Sequence, residues 1–268
     1  MSAPLIELAG VSKSFAGGKA GAAATAALDH VSLRIAEGEF VCLLGPSGCG
    51  KSTILNLVAG FEQADEGRVV FDGQPVRAPG PDRGVVFQQA LLFPWLNVID
   101  NVTFGPRMAG VPAAQYLPEA ERYLRLVGLQ GFEKHAPWQL SGGMRQRAAL
   151  ARAWLPGPRA LLMDEPFGAL DAQTRLMMQE LLTTVWESSG TTVLFVTHDV
   201  DEAIALADRV LVMSARPGRI AREWTIPFER PRQLDDILAD NRFAPLRRDV
   251  LQVVREQARA AVALESVL

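Results

Sequence analysis

The sequence is poor in the residues that mark a disulfide-stabilised protein. It has only two cysteines among 268 residues. Cys42 lies in the apolar run FVCLLG, and Cys49 lies in the glycine-rich loop that follows. Because a rigid strand–loop junction would separate the two thiols, we expect no disulfide between them and a reducing compartment such as the cytosol. Cys42 is typical of a buried core thiol.

The chain also lacks long apolar runs and an excess of positive charge. No run approaches the roughly 18–20 apolar residues that span a bilayer. The first residues, MSAPLIELAGVSKSF, have no basic start followed by a long apolar stretch, so we expect no secretory signal here. A net charge of −3 gives no overall basic surface, which argues against a nucleic-acid partner. The composition, 49% hydrophobic and 21% charged, is ordinary for a soluble globular protein.

What is present is a succession of strand-like and helix-like patterns. The stretches LIELAGVSKSF and DHVSLRIAEGE alternate apolar and polar residues, which predicts half-buried strands. Three continuous apolar runs predict fully buried parallel strands: EFVCLLG, RALLMDEP and TTVLFVTHD. A further short buried strand, DRGVVFQQ, ends in two glutamines, and VLVMSARPGRIAREWTI predicts a closing β-hairpin.

The character of the chain changes between residues 90 and 153, where helical patterns dominate. We therefore predict an α/β protein whose parallel core is interrupted by a helical insert. The segment AGGKAGAAATAA after Phe15 predicts a flexible turn between the first two strands. From Pro227 the tail is rich in arginine and proline and then helical; whether it folds onto the core or regulates it is open. In such sheets ligands bind at the carboxyl ends of the strands.

One of those strand ends carries the segment GPSGCGKST, Gly45–Thr53. It matches the phosphate loop G-x-x-x-x-G-K-[ST] without departure. The glycines let backbone N–H groups point inward at phosphate oxygens, and Lys51 adds a positive charge on the same oxygens. The Ser52 hydroxyl is a suitable ligand for Mg²⁺. The preceding buried strand and the following helical pattern supply the required context, so we predict a nucleoside triphosphate site.

A second strand end, in LLMDEP, carries Asp164 and Glu165. Carboxylates there would be costly to bury without a cation. Asp164 is suited to hold Mg²⁺ through water, and Glu165 to orient or deprotonate an attacking water. The alternative is an exposed acidic turn after the strand.

Three single residues have both a functional and a structural interpretation. Gln88 ends the strand GVVFQ and would contact Mg²⁺ or the water, or be a solvated loop residue. His198 ends the strand VLFVTH and would lie at the catalytic rim, or be a satisfied structural histidine. Phe15 would stack on a nucleobase, or belong to the core.

A second anion-binding pattern follows nearly a hundred residues later, in WQLSGGMRQRAALARAW. A serine and two glycines stand directly before an amphipathic, arginine-rich helical pattern. Exposed N–H groups at a helix N-terminus favour anions. One chain thus has two places for a phosphate group.

Together these motifs resemble the nucleotide-binding subunit of ABC transporters over about residues 5–220. The order is phosphate loop, glutamine loop, LSGGMRQR, LLMDEP, GALD and TH. The resemblance implies that Phe15 stacks on adenine, that Glu165 is the catalytic base, that Asp171 is the D-loop aspartate, and that His198 and Gln88 assist catalysis. It implies ATP contacts from the phosphate loop and the signature, namely Gly45, Pro46, Ser47, Gly48, Cys49, Gly50, Lys51, Ser52, Thr53, Ser141, Gly142 and Gly143. It implies Mg²⁺ contacts from Ser52, Gln88 and Asp164. Met144 departs from the glutamine that the family often has there, which leaves the Ser-Gly-Gly site intact.

The same resemblance implies the architecture and the partners. The expected fold is a P-loop NTPase with a RecA-like core, an antiparallel β subdomain and an inserted helical subdomain. The expected domains are an ATPase domain at 1–220, with its helical subdomain at about 90–153, and a partly helical tail at 221–268. The expected partners are a second copy, two membrane permease subunits and, through them, a periplasmic solute-binding protein, with no nucleic acid. The expected place is the cytoplasmic face of the inner membrane.

Segments outside the shared motifs are similar to a narrower group, the bacterial importers of nitrate, aliphatic sulfonates and taurine. These segments include PGPDRGVVFQQALLFPWLNVIDNVTFGPRMAGV and ARPGRI. The greatest similarity to taurine importers is found in APGPDRGVVFQ, at Trp138 and in FAPLRRDVLQVVREQ. Taurine is therefore the expected cargo, with nitrate or another alkanesulfonate as the alternative. A soluble ABC ATPase acting on DNA or ribosomes and a non-catalytic nucleotide sensor are less well supported, because there is one cassette, no zinc spacing and an intact set of catalytic residues. Phe93, Pro94 and Trp95 are candidates for a permease-docking surface or for the core of the insert.

Overall fold

The computed structural model describes residues 3–16, 24–168 and 170–265. Its chain divides into two units: Met1–Gly80 together with Thr192–Leu268, and Pro81–Thr191. The flexible turn predicted after Phe15 falls mainly on residues 17–23, which lie outside the described part of the chain. The predicted domain boundaries at 220 and 221 remain predictions.

The first unit contains an antiparallel sheet built from alternating sequences. Its strands are β1 (Ile6–Phe15), β2 (Thr25–Ile35), β4 (Glu66–Phe71) and β5 (Gln74–Pro75), in the order β2-β1-β4-β5. In β1 the side chains of Ile6, Leu8 and Val11 are buried while their neighbours are more accessible. The alternating pattern therefore produces a sheet with one apolar face, as the sequence predicts.

The same unit contains a parallel core built from the continuous apolar runs. Strand β3 (Phe40–Leu44) pairs in parallel with β8 (Thr192–Val196) and with β9 (Arg209–Met213). Strand β10 (Ile220–Thr225) closes the predicted hairpin antiparallel to β9. Every residue of β3 and β8 is buried. Helix α1 (Lys51–Ala59) follows β3, and α7 (Val200–Leu206) follows β8, so the loops after both strands lie at the same edge.

The tail folds onto this unit, which answers the question that the sequence left open. It forms α8 (Leu234–Ala239) and α9 (Phe243–Glu265). Asp249 on α9 accepts two hydrogen bonds from Arg222 of β10, at 3.0 and 2.8 Å, and one from the Trp224 indole at 2.7 Å. Val250 of the same helix is fully buried.

The second unit contains two parallel strands, β6 (Arg83–Val86) and β7 (Ala160–Asp164). The prediction that DRGVVFQQ forms a buried strand is wrong: only Val86 of β6 is buried, because β6 is an edge strand. Strand β7, predicted from the separate run RALLMDEP, is buried at its first four positions. The helices are α2 (Val98–Val102), α3 (Phe104–Met108), α4 (Ala113–Leu126), α5 (Gly142–Trp154) and α6 (Ala172–Ser189). A buried apolar cluster that includes Val98, Leu124, Leu140 and Ala148 holds the helical part together. None of the helices in the described ranges is long and apolar enough to cross a bilayer.

Candidate functional site

The phosphate loop connects β3 to α1 and depends on its glycines. Gly45, Gly48 and Gly50 all have a positive φ, at 156°, 73° and 102°. A Cβ atom on Gly50 would lie 2.5 Å from Leu28 Cδ2, and one on Gly45 would lie 2.8 Å from Cys49 Sγ. Glycine is therefore required at both positions by backbone conformation and by space.

Lys51 begins α1 and points back into the loop. Its ammonium group donates to the carbonyl oxygens of Gly45, at 2.8 Å, and Pro46, at 2.9 Å. The residue is only 7% exposed, and among the described residues of its unit no carboxylate pairs with it. A buried cation held only by neutral groups is well matched to an anionic ligand such as a phosphate.

Several of the remaining nucleotide-contact candidates of this unit are accessible, whereas Cys49 is buried. The Phe15 ring at the end of β1 is 40% exposed, which disfavours the core alternative, and Lys13 Nζ lies 5.5 Å from its centroid. Ser47 and Ser52 are exposed, and Thr53 is half-buried. Cys49 is buried, and this burial raises the pKa of its thiol. Phe15 thus has the open ring that base stacking requires.

His198 follows β8 by two residues and is exposed, at the same sheet edge as the phosphate loop. Its neighbours are firmly held: Thr197 N donates to Leu43 O at 3.2 Å, and the Thr197 hydroxyl donates to the buried Glu202. Asp199 caps α7 by accepting from Asp201 N and Glu202 N, at 2.9 and 3.2 Å. These contacts fix the backbone on both sides of the histidine.

The second unit brings Gln88 and Glu165 together. Gln88 lies two residues after β6. Asp164 ends the neighbouring strand β7, and Glu165 follows it directly. A Cβ atom built on Gly168 would lie 3.7 Å from both Gln88 Nε2 and Glu165 Oε2. Glu165 has φ +44°, a conformation that L residues adopt at a cost and that is found at functional sites. The carboxyl and amide oxygens of these side chains are the donor type that Mg²⁺ prefers, so the residues fit that ion.

Ser141, Gly142 and Gly143 form the N-terminus of α5. Ser141 caps the helix, accepting a hydrogen bond on Oγ from Met144 N at 3.2 Å. A Cβ atom on Gly143 would lie 2.9 Å from Thr174 Cγ2, whereas Gly142 has open space around it. Thr174 donates to the D-loop residue Asp171 from N, at 3.0 Å, and from Oγ1, at 2.7 Å. These hydrogen bonds lower the pKa of Asp171.

The arginines and the buried glutamine of α5 have roles that the sequence did not reveal. Arg145 donates to Leu140 O at 2.7 Å, Arg147 to Val127 O at 2.9 Å, and Arg152 to Leu91 O at 2.9 Å. Gln146 Nε2 donates to Phe87 O, the residue before Gln88, at 3.2 Å. The three arginines therefore support loop backbone through these hydrogen bonds. The sequence motif identifies these residues, but it does not predict which carbonyl oxygens they bind, because most of these contacts join residues that are distant in the chain.

The segment Phe93–Trp95 has a mixed environment. The backbone of Phe93 is held by the buried Asn101, which accepts from Phe93 N at 2.7 Å and donates to Phe93 O at 3.1 Å. The Phe93 ring packs on Phe104, with centroids 4.5 Å apart. Trp95 is 74% exposed. Phe93 therefore belongs to the packed subdomain, and Trp95 presents an open aromatic surface.

Known proteins share both motifs and fold with this chain. A family model described as "ABC transporter" matches residues 28–168. An uncharacterised ABC transporter ATP-binding protein of Methanocaldococcus jannaschii is 48% identical over 231 residues, which cover 86% of this chain and 85% of that protein. The taurine import ATP-binding protein of Chromobacterium violaceum is 50% identical over 237 residues, covering 87% and 91%. That of Ruegeria pomeroyi is 51% identical over 202 residues, covering 75% of each.

Solved structures of related proteins have a similar fold. A dimeric ATP-binding cassette in a post-hydrolysis state, bound to ADP and Pi, is 33% identical with a TM-score of 0.73; the match covers 84% of this chain and all of that one. A component of a transporter complex from Clostridium perfringens is 23% identical and matches 98% of this chain with a TM-score of 0.73, which supports the fold alone.

Proposed function

The chain belongs to the ABC transporter family, as one of its ATP-hydrolysing subunits, and we propose that it powers the import of taurine or a related aliphatic sulfonate. The cargo is inferred from the sequence identity, 51% and 50%, with two taurine import ATP-binding proteins over most of both chains. Cargo would not touch this subunit, so its own residues report on ATP chemistry and on partners.

At the phosphate loop, the chemistry follows from charge. The Lys51 ammonium group, now on two carbonyl oxygens, would move to the β- and γ-phosphates, where a full negative charge replaces neutral acceptors. The N–H groups of Gly48 to Thr53 would bind the remaining oxygens, and the exposed Phe15 ring would stack on adenine. ATP is held mainly by preorganised donors, as phosphoryl transfer requires.

For hydrolysis we assign roles to the residues that follow β7, β6 and β8. Glu165 would accept a proton from the attacking water, Gln88 would orient that water, and His198 would bind oxygens of the γ-phosphate under attack, with ADP as the leaving group. Asp164, Ser52 and Gln88 would hold Mg²⁺, which supplies charge neutralisation on the phosphate oxygens. Each group acts by position and charge, and no covalent intermediate is needed.

Two copies of the chain would share their ATP. Similar cassettes form dimers in solved structures. We propose that Ser141, Gly142 and Gly143 of one copy bind the ATP held by the phosphate loop of the other. A two-fold pair then has two complete sites, since each chain gives one phosphate loop and one signature. This explains why one chain has two places for a phosphate.

The permease would dock on the second unit, through the exposed ring of Trp95. Buried aromatic residues commonly anchor protein interfaces. Trp95→Ala should reduce co-purification with the permease from detergent-solubilised membranes and leave the isolated subunit folded. Trp138→Ala removes an equally exposed ring of the same unit and serves as the matched control. Equal permease recovery with both variants would refute the assignment. Such docking would place the chain on the cytoplasmic face of the inner membrane, with the periplasmic binding protein reached through the complex.

The cargo is tested by growth. Deleting the gene should abolish growth on taurine as sole sulfur source and leave growth on sulfate unchanged. A plasmid copy should restore growth, and a Lys51→Ala copy expressed at the same level should not, because the phosphate-binding charge is gone. Unimpaired growth on taurine after deletion, in a strain with no second taurine system, would rule out this cargo. Loss of growth on nitrate would favour the nitrate alternative.

A further inference from the structure

The loop between β9 and β10 lies directly against the phosphate loop. A Cβ atom on Gly218 would lie 2.0 Å from the carbonyl oxygen of Cys49, so the two backbones touch. Gly218 also donates from N to Ala27 O at 2.8 Å and accepts on O from Asp29 N at 3.0 Å. The β9–β10 loop is thus fixed to β2 on one side and to the phosphate loop on the other.

Arg216 extends this contact to the centre of the phosphate loop. Its Nε donates to the carbonyl oxygen of Gly48 at 3.1 Å. Gly48 has φ +73°, and a Cβ atom there would lie 3.0 Å from Arg216 Nη2, so the guanidinium group fills the space beside the glycine. The residue itself is exposed, and no core packing explains its place.

The hydrogen bond to Gly48 controls the direction of an N–H group. The Gly48 carbonyl and the Cys49 N–H belong to one planar trans peptide and point in opposite directions. Holding the oxygen toward Arg216 therefore fixes the Cys49 N–H on the opposite side of the chain, where it donates to Pro46 O at 3.4 Å. The Arg216 contact therefore holds the Pro46–Cys49 turn of the phosphate loop in shape, and a loop whose backbone is already fixed loses less conformational freedom when it binds a phosphate.

The tail in turn holds the β9–β10 loop. Gln257 on α9 accepts a hydrogen bond on Oε1 from Ala215 N, at 3.2 Å. Ala215 is buried and directly precedes Arg216. Helix α9 is itself anchored by Asp249 to Arg222 and Trp224. A continuous series of contacts runs from the C-terminal helix through Ala215 and Arg216 to Gly48.

We propose that Arg216 and Gln257 are positioning residues for the phosphate loop, so that the C-terminal helix contributes to ATP affinity. Gln257 acts through Arg216, and Arg216 acts through the Gly48–Cys49 peptide. Neither is a catalytic residue. The inference concerns ATP binding by the subunit alone and is independent of the cargo.

The test compares ATP affinity with turnover in the full-length subunit. Arg216→Ala should raise the Kd for ATP, and with it KM, about five- to tenfold, the loss of one charged hydrogen bond. The value of kcat should stay within about twofold, since no group at the reacting phosphate changes. Arg216→Lys, which keeps a cationic donor, should recover part of the affinity. Binding is measured by titration calorimetry, and folding by thermal melting without nucleotide.

Gln257 provides a matched pair of variants. Gln257→Leu has similar size but no acceptor, and should raise the Kd about threefold. Gln257→Glu keeps an acceptor for Ala215 N and should bind ATP as the wild type does. Arg259→Ala, on an exposed position of the same helix, is the control and should change nothing. This pair remains informative even if Arg216→Ala fails to fold.

A double variant tests the order of the contacts. If Gln257 acts through Arg216, then Arg216→Ala combined with Gln257→Leu should bind ATP as Arg216→Ala does. Unchanged KM in Arg216→Ala, or equal Kd for Gln257→Leu and Gln257→Glu, would overturn the proposal. If the fold-changes in Kd of the two single variants multiply in the double variant, then Gln257 does not act through Arg216. All of these results are independent of the growth test for taurine.

Discussion

At the scale of single residues, the signature and the D-loop are joined by one tight contact. Gly143 lies so close to Thr174 that a methyl group would begin 2.9 Å from Thr174 Cγ2. Asp171 holds Thr174 by two hydrogen bonds, so the threonine cannot easily move aside. A Cβ atom on Gly142, its neighbour on the helix, would meet no atom within 4 Å. Of these two adjacent glycines, only Gly143 is required by the space around it.

This difference predicts opposite responses to alanine. Gly142→Ala should be neutral or slightly stabilising, because alanine favours the helix. Gly143→Ala should have an unfolding free energy about 1 kcal/mol lower than Gly142→Ala, because of overpacking against Thr174. Adding Thr174→Ser removes the methyl group and keeps the hydroxyl for Asp171, and should erase the difference. Urea unfolding measures all three; equal stability of the two single variants would contradict the contact.

Cys42 gives a prediction about pH. Burial raises the pKa of its thiol well above the usual value. The unfolded chain therefore loses this proton first, and the stabilising contribution is complete below about pH 8.5 and falls as the pH rises above it. Cys42→Ala should lose less unfolding free energy than the wild type between pH 8 and pH 10. Parallel pH profiles for the two proteins would show that the thiol does not contribute.

At the scale of elements, the tail holds both ends of α7. Arg247 pairs with Asp201 in its first turn, with Nη2 and Oδ2 3.1 Å apart. At the other end Arg232 Nη1 donates to Ala207 O at 2.6 Å, and its Nη2 donates to Phe228 O at 2.7 Å. The Arg232 side chain is almost fully buried, whereas the Arg247–Asp201 pair is exposed and contributes little. The buried arginine is thus the stronger attachment.

Removing that arginine should destabilise the protein. Arg232→Ala leaves buried carbonyl oxygens without a charged donor and should lower the unfolding free energy by about 2–3 kcal/mol. Arg248→Ala, at an exposed position of α9, should change it by less than about 0.5 kcal/mol. Chemical denaturation measures the unfolding free energy of both variants and of the wild type. If Arg232→Ala lowers the unfolding free energy no more than Arg248→Ala does, then Arg232 contributes little to holding the tail on α7.

The elements differ in how far the sequence predicts them. Strands β3, β7 and β8 follow from continuous apolar runs, and α1 follows from the phosphate-loop pattern, because burial and helix starts are local properties of sequence. Helix α8 was not predicted, and β6 was expected to be buried, because its place at a sheet edge is set by tertiary pairing. The contacts of Arg152, Arg216 and Gln257 could not be predicted, since each joins residues distant in the chain through one side chain.

At the scale of the whole molecule, the predicted fold class is confirmed: the chain has the P-loop NTPase fold of ATP-binding cassettes. The candidate residues were predicted by motif, and the structure supplies the geometry that supports their proposed roles. It places Lys51 in a buried site suited to phosphate and Ser141 at a capped helix N-terminus. Two half-sites on one chain, each suited to an anion, are the basis for proposing that two copies share each ATP.

Sedimentation of two variants in ATP and Mg²⁺ tests this shared site most directly. Glu165→Gln removes the proposed base but not the phosphate loop, so it should bind ATP without hydrolysis and sediment as a dimer. Adding Ser141→Arg should give a monomer that still binds ATP with unchanged affinity at Lys51, because only the half-site facing the partner is damaged. A monomeric Glu165→Gln protein, or a double variant that still dimerises, would contradict the shared-site account.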